Sequence, residues 1–121
     1  MDNQHPRIRV LVAEDEPMVA MLLEELLGEA GYEVLLAATL AHATTLATTE
    51  TIDLAVLDVR LGRDDSFPLA EQLRARGVPF LFASGHGRDG VPPHFAEATV
   101  LQKPYDMTSL KHVLTELLPA R

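Results

Sequence analysis

The chain has 121 residues, 47% of them hydrophobic, with ten Lys and Arg against eighteen Asp and Glu for a formal net charge of −8. That length and apolar content suit one folded domain and exclude an intrinsically disordered chain, while the acidic balance argues against nucleic-acid and anionic-membrane binding, which need clustered Lys and Arg. There is no cysteine, which excludes disulfides, thiol catalysis and Cys-ligated zinc and fits a reducing compartment.

The first residues, MDNQHPRIRV, carry no signal-peptide core, and no apolar run reaches the roughly 18 residues that a membrane span needs. The expectation is a cytoplasmic protein, one domain over residues 1–121 with its core at about 7–119, without an output domain.

Ile8 to Ala13 is short, β-branched and apolar and ends in acids, as a buried strand does. Pro17 to Ala30 follows with Met18, Met21, Leu22 and Leu26 at helical spacing, Pro17 in the first turn and Gly31 as the stop. Tyr32 to Ala38 reads as a second strand, and Leu40 to Thr49 as a helix capped by Thr39. Leu54 to Val59 is an apolar run with one acid inside it, the pattern of a strand covered on both faces. Gly62 to Ser66 is a polar loop, Phe67 to Arg76 a helix ended by Gly77, and Pro79 to Ala83 a fourth strand followed by Ser84-Gly85-His86-Gly87. Arg88 to Ala98 holds Gly90, Pro92 and Pro93, so a regular helix can start only near Pro93 and must be short. Thr99 to Leu101 is a brief strand before Lys103-Pro104, and Met107 to Leu118 is a last amphipathic helix. Met18, Met21 and Met107 are read as packing residues, Arg60 and Arg63 as solvated, and the five histidines show no ligand spacing.

Strand and helix thus alternate five times, which gives an α/β fold: a doubly wound five-stranded parallel sheet with helices on both faces. In such sheets ligands bind outside the carboxyl ends of the strands. Those ends carry Glu14-Asp15-Glu16, Asp58, Ser84 and Lys103. Clustered carboxylates repel one another unless a cation neutralises them, and a hard, oxygen-liganded divalent ion such as Mg²⁺ does so while keeping waters. A cation and a lysine beside a carboxylate, with a hydroxyl nearby, make a site for a phosphoryl group. The carboxylate between them is then the candidate nucleophile, since Asp forms acyl phosphates.

Taken in order, Glu14-Asp15, Asp58 in VLDVR, Ser84 in FASGHG, and Lys103-Pro104 resemble the receiver domain of two-component response regulators over about residues 7 to 119. The resemblance implies strand order 2-1-3-4-5 with five helices (a flavodoxin-like receiver fold), Asp58 as phosphoacceptor, and Ser84 and Lys103 as its phosphoryl-binding partners. It implies Mg²⁺ (or Mn²⁺) held by Glu14, Asp15, Asp58 and the backbone carbonyl of Arg60, and a cis bond before Pro104. Receivers often carry an aromatic switch residue three positions before the lysine. Here that position is Val100, which cannot make the usual ring movement and leaves His86 and Tyr105 as candidates for a switching role. Pro79 to Gly87 and Lys103-Pro104-Tyr105 resemble the FAT GUY receiver subgroup, with Ser84 where that motif has Thr and His86 where it commonly has Tyr.

The resemblance further implies a sensor histidine kinase or phosphotransfer protein as phosphodonor. It implies a downstream protein partner on the face of the fourth helix, fifth strand and fifth helix, and no nucleic-acid or membrane partner. Phosphorylation is expected to act on the 88–98 stretch. It implies no enzymatic turnover beyond the domain's own phosphorylation and dephosphorylation. The alternatives are a phosphorylation-independent binding module, a phosphate sink or relay, and a hydrolase with an Asp nucleophile. The last generally needs a second acid two residues after the nucleophile, where this chain has Arg60.

Overall fold

A computed structural model describes residues 7–85, 87–103 and 106–117. Five parallel strands, β1 (Arg9–Ala13), β2 (Glu33–Ala37), β3 (Leu54–Asp58), β6 (Phe80–Ser84) and β7 (Thr99–Gln102), form one sheet in the order β2-β1-β3-β6-β7. The fold is the expected doubly wound α/β sheet. The continuous apolar runs have a direct cause: alternate residues go to opposite faces, and both faces are covered. Leu11, Ala55, Leu57 and Phe82 pack on one side against α2 (Leu40–Thr49) and α3 (Phe67–Ala75). Val10, Val12, Leu54, Val56 and Leu81 pack on the other against α1 (Pro17–Glu29) and α4 (Met107–Leu117).

Local chemistry ends the elements where the residues demand. The Thr39 hydroxyl accepts the His42 N–H at 3.1 Å and caps α2. Gly31 takes φ 99°, so the chain turns out of α1 while the Tyr32 N–H donates to the Leu27 carbonyl at 3.0 Å. At the amino end of β1 the buried Arg9 guanidinium reaches Glu50 at 3.2 Å, Glu33 at 3.4 Å and the Thr51 carbonyl, tying β1, β2 and the β3 approach together. No helix among the described residues is long and apolar enough to cross a membrane.

Four expectations change. The described residues hold four α-helices rather than five. Between β6 and β7 stand two 3₁₀ turns, Gly87–Gly90 and Pro93–Phe95. Pro92 and Pro93 have no N–H to give, and the residue before a proline is driven out of the α region, so an i→i−4 ladder cannot run through the segment. The stretch from Gly62 to Ser66 is not only a loop: it contains β5 (Asp64–Asp65), which pairs antiparallel with β4 (Arg60–Leu61). Two-residue strands are too short for any alternation to show. The buried stripe of α1 is Leu23 and Leu27 with half-buried Val19, not the stripe through Met18, Met21 and Leu22, because this helix is apolar on more than one face. Met18 and Met21 are therefore not packing residues: they are 83% and 67% exposed, and Leu22 is 52% exposed.

Ser66 precedes α3, and its hydroxyl is buried without a hydrogen-bond partner among the described residues. Ser66→Ala removes a desolvated hydroxyl at nearly constant shape. It is expected to leave stability unchanged or raise it by about 1 kcal/mol, read as an equal or higher urea midpoint at unchanged slope. A lower midpoint would show that the hydroxyl has a partner.

Candidate functional site

The sheet register brings the chemistry to one edge. Ala13 pairs with Leu57, Asp58 with Ala83, and Ser84 with Gln102, so the residues at or just past these positions share the carboxyl end of the sheet. Asp58 is the last residue of β3 and Ser84 the last of β6. Glu14 and Asp15 follow β1, and Lys103 follows β7 with its N–H donating to the Ser84 carbonyl at 2.9 Å.

Side chains complete the cluster. Lys103 Nζ lies 2.7 Å from Asp58 Oδ1 and 3.2 Å from Glu14 Oε1. Glu14 Oε2 accepts the Glu16 N–H at 3.1 Å. Asp15 Oδ2 accepts the Gly62 N–H at 2.8 Å, across 47 residues of chain, and Gly62 presents that N–H from φ 63°. Glu14 and Asp58 are 3% and 5% exposed, Ser84 is buried, and Asp15 is open to solvent. The Lys103 side chain is 24% exposed.

Burial first, and then the charge of Glu14, push the Asp58 carboxyl from its usual 3.8 up to about 7, against the opposing hydrogen bond and charge of Lys103. Burial alone would lower Lys103, but its hydrogen bond to Asp58 and the charges of Asp58 and Glu14 outweigh that and hold the ammonium above its ordinary value.

One carboxylate oxygen from each of Glu14, Asp15 and Asp58 falls within 4.8 Å of the other two. Three carboxylates against one ammonium leave two negative charges when all are ionised, and every donor is a hard oxygen. The residues present therefore fit a divalent cation of the magnesium type.

Six of the sequence-predicted residues are thus placed: Glu14, Asp15, Asp58 and Lys103 meet, Ser84 stands on the same edge, and Arg60 opens β4 with its side chain exposed. Val100 sits on β7 beside Phe82, half-buried against the face that holds Phe95. His86, Pro104 and Tyr105 lie outside the described residues.

Three residues escaped sequence reasoning. Gly62 holds Asp15, and its only mark was a glycine in a polar loop. Phe95 is fully buried and packs against Phe82 at 5.3 Å and Phe67 at 5.8 Å, so the aromatic mass of this face lies off position 100. Arg88 donates to the carbonyls of Phe95 (3.1 Å), Ala96 (2.7 Å) and Ala98.

Comparison with known proteins agrees with this geometry. Residues 10–115 match the family described as response regulator receiver domain. The transcriptional regulatory protein AruR of Pseudomonas aeruginosa is 40% identical over 75 residues, 56% of this chain and 30% of AruR. The chain spans about a third of the length of the curated relatives that it matches first. The solution structure of SdrG from Sphingomonas melonis Fr1 is 39% identical, with a TM-score of 0.78 over 94% of this chain and 98% of that one. A BeF3-activated conformation of SdrG, from Pseudomonas melonis Fr1, is 36% identical with a TM-score of 0.78 over 95% of this chain and 100% of that one. With nearly its whole length inside the family match and its carboxylates and lysine gathered at the strand ends, the chain belongs to the response regulator receiver domain family of two-component signalling.

Proposed function

We propose that the chain accepts a phosphoryl group on Asp58 from the phosphohistidine of a sensor kinase or phosphotransfer protein, and signals through contact with another protein. The observation that carries this reading is Asp58 itself: a buried carboxylate at a strand end, 2.7 Å from an ammonium and beside two further carboxylates.

In the transfer, an ionised Asp58 oxygen bonds to phosphorus as the donor's N–P bond breaks, and the departing imidazole takes up a proton. Lys103 stays paired at the acceptor and holds a phosphoryl oxygen, and the Ser84 hydroxyl donates to another. Glu14, Asp15, Asp58 and the Arg60 carbonyl would hold Mg²⁺ (or Mn²⁺), which would supply positive charge against the phosphoryl oxygens and favour the ionised form of Asp58. Gly62 keeps Asp15 aimed at the cluster.

The exposed apolar side chains Met18, Met21 and Leu22 stand on α1, whose first turn directly follows the acidic 14–16 loop, and are the proposed contact for the protein donor. The face of the 87–98 segment, β7 and α4 is the proposed surface for the downstream partner. The proposed role involves no turnover beyond the domain's own phosphorylation and dephosphorylation.

Intact mass after incubation with acetyl phosphate tests the reading. The wild-type chain is expected to gain one phosphoryl group only when Mg²⁺ is present, and Asp58→Asn none. Labelling of the Asn variant, or no labelling of the wild type, overturns it. The BeF3-activated form of its relative SdrG commends beryllofluoride as a stable mimic.

A further inference from the structure

The three carboxylates that fit a cation are held in different ways. Glu14 is buried, with Lys103 Nζ at 3.2 Å from one oxygen and the Glu16 N–H on the other. Asp58 is buried, with Lys103 at 2.7 Å. Asp15 is open to solvent, and its one hydrogen bond among the described residues comes from the Gly62 N–H at 2.8 Å. An exposed carboxylate without such a donor turns among its rotamers, and a metal must order it on binding.

Behind Gly62 stands a closed hairpin. Arg60 pairs with Asp65 and Leu61 with Asp64, which leaves Gly62 and Arg63 as a two-residue turn. Gly62 takes φ 63° and Arg63 does not take a positive φ, the II′ pattern with glycine at the first central position. A hairpin this short is marginal by itself. Leu61, 3% exposed, anchors it in the core. The Ser66 N–H donates to the Val59 carbonyl at 2.9 Å across its base, and Asp65 Oδ1 accepts the Phe67 N–H at 3.2 Å where α3 begins. The Arg60 carbonyl belongs to the same frame. One piece of backbone thus sets two of the four groups that would hold the cation, Arg60 by covalent link and Asp15 by hydrogen bond.

We infer that the 60–65 hairpin is the specificity-determining element of the cation site, with Gly62 as its positioning residue: it fixes Asp15 and the Arg60 carbonyl relative to each other and so favours Mg²⁺ over the larger Ca²⁺. This rests on the metal reading above and adds to it what sets the choice of ion. Mg²⁺ demands near-ideal octahedral geometry at about 2.0–2.1 Å, whereas Ca²⁺ accepts about six to eight oxygens at about 2.3–2.6 Å in flexible arrangements. Loosening one ligand therefore weakens Mg²⁺ more than Ca²⁺. A Cβ at Gly62 meets nothing within 4 Å, so the burden of a side chain there is the positive φ, which alanine resists and asparagine tolerates.

The test titrates the 121-residue chain with magnesium chloride and with calcium chloride by calorimetry, and follows exchange of the Gly62 amide in EDTA. Gly62→Ala is expected to weaken Mg²⁺ binding about tenfold, the lower end of the range for groups that support a metal ligand, and Ca²⁺ binding about threefold or less. Gly62→Asn is expected to stay within about twofold of wild type for both ions. Asp15→Ala is expected to speed exchange of the Gly62 amide about tenfold, and it carries the test if the alanine variant at 62 does not fold. Equal weakening of the two ions by Gly62→Ala overturns the inference, as does no weakening, or the same weakening by Gly62→Asn. A Gly62 amide that exchanges equally fast with and without the Asp15 carboxylate also overturns it. If the wild type binds neither ion, the metal reading falls and the inference with it. If the wild type binds Mg²⁺ and Gly62→Ala leaves the ratio of the two affinities unchanged, only the inference falls.

Discussion

With divalent cations removed by EDTA, Asp58→Asn is expected to be more stable than wild type at pH 8, by on the order of 2–4 kcal/mol, and no more stable at pH 4. The sign follows from the raised pKa of Asp58. The folded protein holds the Asp58 proton up to about pH 7, whereas an ordinary Asp in an unfolded chain releases it near 3.8. Between those values the native state binds more protons than the unfolded state, so wild-type stability falls as pH rises through the window. The neutral carboxyl's contribution is complete below about 3.8 and gone above about 7. Asparagine keeps the shape and an acceptor oxygen but never ionises. Removing one member of a buried ion pair normally costs stability. Here Lys103 keeps Glu14 at 3.2 Å and is partly open to water, so it is not stranded. Saturating Mg²⁺ should close the gap by stabilising wild type more than the variant. Urea unfolding from pH 4 to 8, with EDTA and with Mg²⁺, reads all of this. A variant less stable than wild type at pH 8 in EDTA would contradict it.

The edge of the sheet was legible in the residues because it follows from one rule. A strand covered on both faces must be apolar throughout, so the acids, hydroxyl and lysine that interrupt or follow such runs can only stand where the strands leave the core. Asp58, Ser84 and Lys103 were found that way. Arg88 was not, because a side chain that satisfies carbonyls seven to ten residues onward leaves no period in the sequence. Gly90, Pro92 and Pro93 showed only that a long helix was excluded, not what would hold the chain in its place. The Gly62 bond to Asp15 spans 47 residues and belongs to tertiary packing alone. The choice of buried face on α1 was misread for a related reason: when two faces are both apolar, only the sheet beneath decides which is covered, and it took Leu23 and Leu27.

Lys103→Met is expected to act in the opposite direction at the same salt bridge. Methionine keeps the unbranched stem and loses the ammonium, so Glu14 and Asp58, both buried, face each other without a counter-charge. At pH 8 in EDTA the loss should be about 3–5 kcal/mol, the range for stranding a buried charge. It should shrink as pH falls and Asp58 takes up its proton. Adding Asp58→Asn to Lys103→Met should restore much of the loss, a non-additivity that a double-mutant cycle measures. Mg²⁺ should bind Lys103→Met more tightly than wild type, by about tenfold, because the site then presents three carboxylates and no competing cation. Phosphoryl uptake should fall with the loss of the ammonium that holds the transferred group. An ordinary buried ion pair loses stability whichever partner is removed. A site with surplus negative charge instead gains when a carboxylate is neutralised and loses when the ammonium goes. If both single variants lose stability in EDTA, the pair is structural and the surplus charge has no cation to await; opposite signs, with tighter Mg²⁺ in the methionine variant, mark a pocket built around a divalent ion.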